Sequence, residues 1–153
     1  MSIWLDGSYF KTEPGVTYGG VVVVDDAKDE CVYCQRYYTE KPEFVSMNNV
    51  GGELLAAILG FGTACARVID KHQGEVECCI YHDYNGIAKF ATGEWAAKKE
   101  GSQMYVIMFN HLKSLYPHVR FKFVKVKGLN STVCRTLVAR MQEKASPFTP
   151  LKR

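Results

Sequence analysis

The chain has 153 residues, 47% hydrophobic and 23% charged, with a formal net charge of +3. That length suits one domain with a buried core, and no run of about 18 apolar residues marks a membrane span. The start, Met1-Ser2-Ile3-Trp4-Leu5-Asp6, lacks a basic stretch leading into an apolar one, so no secretory signal and a reducing, cytoplasmic setting are expected.

Ile3-Trp4-Leu5 is a short apolar run that ends at the turn signal Asp6-Gly7-Ser8. Thr17 to Val24 carries the valines Val21 to Val24, which favour a strand because β-branched side chains fit a pleated surface. Asp25-Asp26 breaks it, and the aromatic-rich stretch Cys31 to Tyr38 predicts a third strand. Short turns between the three predict an antiparallel meander. Phe44 to Asn49 reads as loop, and Val50 to Asp70 as a long helix with Leu54, Ile58 and Phe61 on one stripe. Ala56, Ala57, Gly60, Gly62, Ala64 and Ala66 are small enough to let that helix lie close on a sheet. A helical glycine costs about 1 kcal/mol against alanine, so a packing reason is expected for them.

Gln73-Gly74 ends the helix, and Glu75 to Tyr81 predicts a fourth strand. Asn85 to Thr92 predicts a short helix, and Ser102 to Tyr116 another, with Ser102 as N-cap and Pro117 as the stop. Val119 to Lys127 predicts a fifth strand and Thr132 to Lys144 a last helix. Fraying from Ala145 gives a domain over 1–145 and a flexible tail over 146–153. The order βββαβααβα predicts an α/β fold. Its five-stranded mixed sheet has strands 1–3 in an antiparallel meander, strands 1, 4 and 5 parallel, and helices on the faces.

The six cysteines include Cys31-x-x-Cys34 and Cys78-Cys79. A structural zinc site needs a second matched pair or spaced histidines, and neither follows, so the cysteines read as reduced, mostly buried thiols. His72, His82, His111 and His118 read as surface residues.

Asp6 follows the first strand, Asp83 follows the fourth, and Glu53 falls in the first turn of the long helix. With strands one and four parallel neighbours, Asp6 and Asp83 emerge side by side at carboxyl ends of strands, where α/β sheets gather ligands. Three converging carboxylates repel one another unless a cation sits among them. Hard oxygen donors select Mg²⁺ or Mn²⁺. Taken singly, the same residues also suit a turn, an N-cap and a macrodipole partner.

At these positions the sequence resembles the ribonuclease H family, type 1. The resemblance is to the bacterial branch whose members often carry an amino-terminal hybrid-binding module related to viroplasmin, a module not expected here because the first strand begins at once. It rests on Leu5-Asp6-Gly7-Ser8-Tyr9, Tyr18-Gly19-Gly20-Val21-Val22, Asn49-Val50-Gly51-Gly52-Glu53-Leu54 and Tyr81-His82-Asp83-Tyr84-Asn85-Gly86-Ile87. Ala91-Thr92-Gly93-Glu94-Trp95 and Val124-Lys125-Val126-Lys127 complete it. The resemblance implies an endonuclease that cuts the RNA strand of RNA/DNA hybrids by in-line attack of water, leaving a 3′-hydroxyl and a 5′-phosphate. It implies two Mg²⁺ or Mn²⁺ ions held by Asp6, Glu53 and Asp83, with Asp6 shared between them. The family's fourth acid is replaced, because Arg135 falls where it is expected, and Leu129 follows Lys127-Gly128 where a mobile-loop histidine is common. The second ion is therefore expected to bind weakly.

Substrate contacts are expected from Gly7, Ser8, Asn49 and Asn85, and from Lys125 and Lys127 near the end of the fifth strand. Trp95 with Lys98 and Lys99 forms a further candidate handle. Two rival readings stand beside the hybrid nuclease. One is a catalytically inactive module of this fold that binds nucleic acid or protein; the other is a related nuclease acting on structured DNA.

Overall fold

The structure is a computed structural model and describes residues 1–28, 30–67, 69–71, 74–126 and 145–147. The expected last helix, Lys127, Leu129, Arg135, His72 and most of the expected tail lie outside the described residues.

The strands are β1 (Ser2–Ser8), β2 (Thr17–Asp25), β3 (Glu30–Thr39), β4 (Val76–His82), β5 (Val119–Lys125) and a short β6 (Ala145–Pro147). They lie in the order β5-β4-β1-β2-β3-β6. β1, β2 and β3 form the expected antiparallel meander, and β1, β4 and β5 run parallel. The five expected strands are thus present, and β6 adds a sixth, parallel to β3, over residues the sequence assigned to the frayed end.

Helix α1 (Pro42–Val45) is a single turn, α2 (Asn49–Arg67) is the long helix, α3 (Gly86–Ala91) is short and α4 (Glu100–Leu115) follows it. The end of α1 therefore falls in the stretch expected as loop. Proline at its first turn needs no N–H partner, and Phe44 anchors it by full burial. Ser102 does not cap α4: Lys99 holds that position, and the Ser102 hydroxyl donates to the Lys99 carbonyl at 2.8 Å from inside the first turn.

α2 is long and apolar enough to resemble a membrane span, yet it lies against β1 and β2 with most of its length buried. Leu54, Leu55, Ala57 and Phe61 pack with Ile3, Leu5, Val21, Val23 and Ile80 in one core. The small residues set the separation. A Cβ on Gly52 would stand 1.9 Å from the Tyr18 carbonyl oxygen, and one on Gly60 2.6 Å from Val21. Gly62 meets nothing within 4 Å, so the packing argument fails for that glycine.

On the opposite face of the sheet, Trp4 stacks on Tyr81 with ring centroids 4.0 Å apart, close to Val22 and Val24. A bulge at Val32 breaks the β2–β3 register, which sets Cys31 and Cys34 on this same face although they are three apart in sequence. Cys65 and Cys78 are buried, whereas Cys31, Cys34 and Cys79 are half-buried, so burial of the thiols is less complete than expected.

Candidate active site

β1 does not stop before Asp6. It stays paired with β2 as far as Ser8, opposite Tyr18, so Asp6 and Gly7 are strand residues. The Asp-Gly turn signal yields to ladder pairing along β2. On its other edge β1 pairs with β4 through Ile3–Ile80 and Trp4–Tyr81. Two residues beyond that pair come Asp6, still in β1, and Asp83, just past the end of β4. Alternation returns Asp6 to the face that carries Trp4.

Glu53 reaches the same point from α2. The approach depends on Gly7, where a Cβ would stand 2.2 Å from the Asn49 carbonyl oxygen and 2.5 Å from the Glu53 nitrogen. Any side chain there would push α2 off β1. Glu53 lies beyond the first helical turn, which holds no acid, so the macrodipole explanation for it falls away. Its side chain is 5% exposed, and its two carboxylate oxygens accept the main-chain N–H groups of Asp83 at 3.0 Å and Tyr84 at 3.1 Å. The helix thereby holds the loop that follows β4.

The three carboxylates feel one another. Burial raises the Glu53 pKa to about 7; the two N–H bonds work against this, while the charges of Asp6 and Asp83 add to it. Burial also raises Asp6, reinforced by Asp83 and opposed by the Gly7 N–H and the Arg36 charge. Asp6 is half-buried and Asp83 exposed. Among the described residues no group of three or more His, Cys, Asp or Glu side chains is already gathered as a metal site. Asp6 and Asp83 present the open carboxylates, and Glu53 is turned into the loop behind them.

The other expected contacts divide. Asn49 and Asn85 are exposed at the starts of α2 and α3, four residues before Glu53 and two after Asp83 in the chain. Gly7 has a packing reason of its own, and Ser8 continues β1 past Asp6. Lys125 is exposed, but it pairs with His82, so alternation sets it toward the helix-covered side of the sheet, opposite the face of Asp6. Trp95, Lys98 and Lys99 are exposed, and Trp95 packs edge-on against Tyr84 and Phe90.

His82, expected at the surface, is 2% exposed. Its Nδ1 lies 3.0 Å from the Tyr84 carbonyl oxygen, to which it donates, and burial lowers its pKa. Strand alternation was the available signal, since His82 falls on the core side with Cys78 and Ile80. Arg36 was also missed. Its influence on Asp6 comes through the β1–β2–β3 register, which no local motif reveals.

No family model matches the sequence, and no curated protein does. Solved structures do match. RNase H1 from the halophilic archaeon Halobacterium salinarum superposes with a TM-score of 0.66 at 16% identity, over 93% of this chain and 94% of that one. LC11-RNase H1, isolated from compost and solved in complex with an RNA/DNA hybrid, gives 0.66 at 19% identity, over 93% of this chain and 96% of that one. The amino-terminal RNase H domain of a Mycobacterium tuberculosis protein gives 0.65 at 15% identity, over 93% and 94%. The chain has a ribonuclease H-like fold. Within that ribonuclease H-like frame the central strand β1 carries Asp6, Asp83 follows its neighbour β4, and the helix packed on β1 carries Glu53.

Proposed function

We propose that this chain is a metal-dependent endonuclease of the ribonuclease H type that hydrolyses the RNA strand of RNA/DNA hybrids. The observation that carries the reading is the parallel β1–β4 pairing up to Trp4–Tyr81, two residues short of Asp6 and Asp83, whose charges act on each other, while Glu53 is bonded to the Asp83 main chain. The raised pKa values of Asp6 and Glu53, due first to burial, favour a cation as neighbour. An all-oxygen donor set of this kind fits Mg²⁺ or Mn²⁺. Asp6 and Asp83 would hold the first ion. Glu53 would take part through the lone pairs its two N–H bonds leave over, and a second ion is expected to bind weakly. Such an ion supplies Lewis-acid stabilisation of the charge that develops on the phosphodiester oxygens.

The chain's own residues do the rest. Glu53 fixes the Asp83–Tyr84 loop, so Asp83 keeps its place beside Asp6 without a basic partner. Gly7 keeps α2 close enough for that bond. Exposed Asn49 and Asn85 offer donors and acceptors suited to the 2′-hydroxyls that an A-like hybrid displays in its wide minor groove.

The test is a labelled hybrid incubated with Mg²⁺ or Mn²⁺, alongside DNA duplexes and junctions. Cleavage of the RNA strand, lost in Asp6→Asn, is expected; cleavage of junctions alone would transfer the site to structured DNA. Hybrid binding with no cleavage in either metal would favour the inactive module, a reading that gains weight from the inward turn of Glu53. At Arg135, where the sequence resemblance expects an acid, Arg135→Asp is expected to tighten Mg²⁺ binding and raise cleavage.

A further inference from the structure

The β1–β2 and β2–β3 registers set Asp6, Gly20 and Arg36 in one row across the sheet. Side chains in such a row point to one face. Gly20 has no side chain, so nothing from β2 stands between the Asp6 carboxylate and the stem of Arg36. Two strand spacings separate their α-carbons by roughly 10 Å. The neighbouring row holds Ser8, Tyr18 and Tyr38.

The guanidinium of Arg36 lies over the Tyr18 ring, 4.5 Å from its centroid. That ring is itself held. Its hydroxyl donates to Glu13 at 2.9 Å, and it meets Tyr38 at 6.3 Å and the exposed Phe10 at 5.6 Å between centroids. A guanidinium held over an aromatic face keeps its N–H donors free for a planar fork that matches phosphate. Among the described residues the ion pairs are Met1–Asp26, Lys89–Glu94 and Arg120–Glu75, none of which engages Arg36.

We propose that Arg36 is a substrate-binding residue whose guanidinium, held on Tyr18, takes a backbone phosphate one or two nucleotides from the phosphodiester at Asp6. The Gly20 gap lets the strand lie across β2 between the two residues. This rests on the nuclease reading above, and it adds a basic contact on β3 that extends the site over the meander.

Fluorescence anisotropy with a labelled RNA/DNA hybrid, Ca²⁺ replacing Mg²⁺ to prevent turnover, tests it over a salt series. Arg36→Ala is expected to weaken binding about tenfold and to lower the slope of log affinity against log salt by about 1, the signature of one lost phosphate contact. Arg36→Lys should keep the slope and lose only part of the affinity, because the charge stays and the planar fork goes. Tyr18→Leu should weaken binding with the slope intact. In Mg²⁺, KM rises for Arg36→Ala while kcat holds. Circular dichroism reports folding, and Arg36→Gln, which keeps the stem, replaces Arg36→Ala should that variant unfold. Affinity and slope equal to wild type in the folded variant would overturn the assignment and leave the nuclease reading standing. A wild-type chain that binds no hybrid would overturn both.

Discussion

Glu53 accepts two main-chain N–H bonds, yet burial and its acidic neighbours still raise its pKa to about 7, against an ordinary 4.5. A carboxyl with a raised folded pKa contributes stability that is complete below the unfolded value and is lost as pH climbs through the folded one. Metal-free protein should therefore lose up to about 3 kcal/mol from this group between pH 4.5 and pH 8. His82 works in the opposite sense: its lowered pKa withdraws stability as pH falls below its ordinary 6.5. Urea melts of wild type and Glu53→Gln in chelator, compared pH by pH, isolate the carboxyl. The difference should shrink steadily toward low pH if its titration is the cause. The acidic residues were legible in the sequence, but their individual environments were not. Whether Glu53 points outward or binds a loop 30 residues away depends on packing that no spacing encodes.

The long helix α2 owes its position to its smallest residues. At Gly52 an added methyl would meet the Tyr18 carbonyl, part of a strand that cannot retreat without breaking its ladder. Gly52→Ala should cost at least about 2 kcal/mol. At Gly62 the space is open, so Gly62→Ala should gain roughly 0.5–1 kcal/mol from helix propensity and the stiffer unfolded chain. Urea midpoints of the two variants should move in opposite directions. The sequence identified this helix and its closeness to a sheet, because the run of alanines and glycines has no other economical explanation. It could not rank the glycines, since whether a Cβ has room depends on the strand opposite. The end of β1 failed for a related reason: Asp6-Gly7 is a turn by local chemistry and a strand by virtue of its partner β2.

The strand order was readable because each connection obeys a length rule. Connections without a helix join β1, β2 and β3, whereas helices lead into the parallel strands β4 and β5. The short β6 lacked such a signal, since three residues including a proline do not stand out as a strand. Across the whole molecule, gathering acids at one point works against folding and supports binding. Asp6→Asn should raise the melting temperature of the metal-free chain while abolishing cleavage. Mg²⁺ at about 100 times its dissociation constant should stabilise wild type by about 2.7 kcal/mol, and thermal melts of Asp6→Asn should show little of that gain.

The stacked pair Trp4 and Tyr81 lies two residues before Asp6 on β1 and two residues before Asp83, which follows β4. The chain contains two tryptophans, and Trp95→Phe would leave Trp4 as the sole indole emitter. With Tyr81 4.0 Å away, ultraviolet excitation of that ring passes to the indole, and the emission depends on how β1 and β4 sit together. On the proposed reading, an ion shared by Asp6 and Asp83 would tighten that seam. In Trp95→Phe, Mg²⁺ should shift the Trp4 emission along a saturating curve, and the further change Asp6→Asn should flatten it. The stack is a built-in optical gauge of the site, readable without any nucleic acid present.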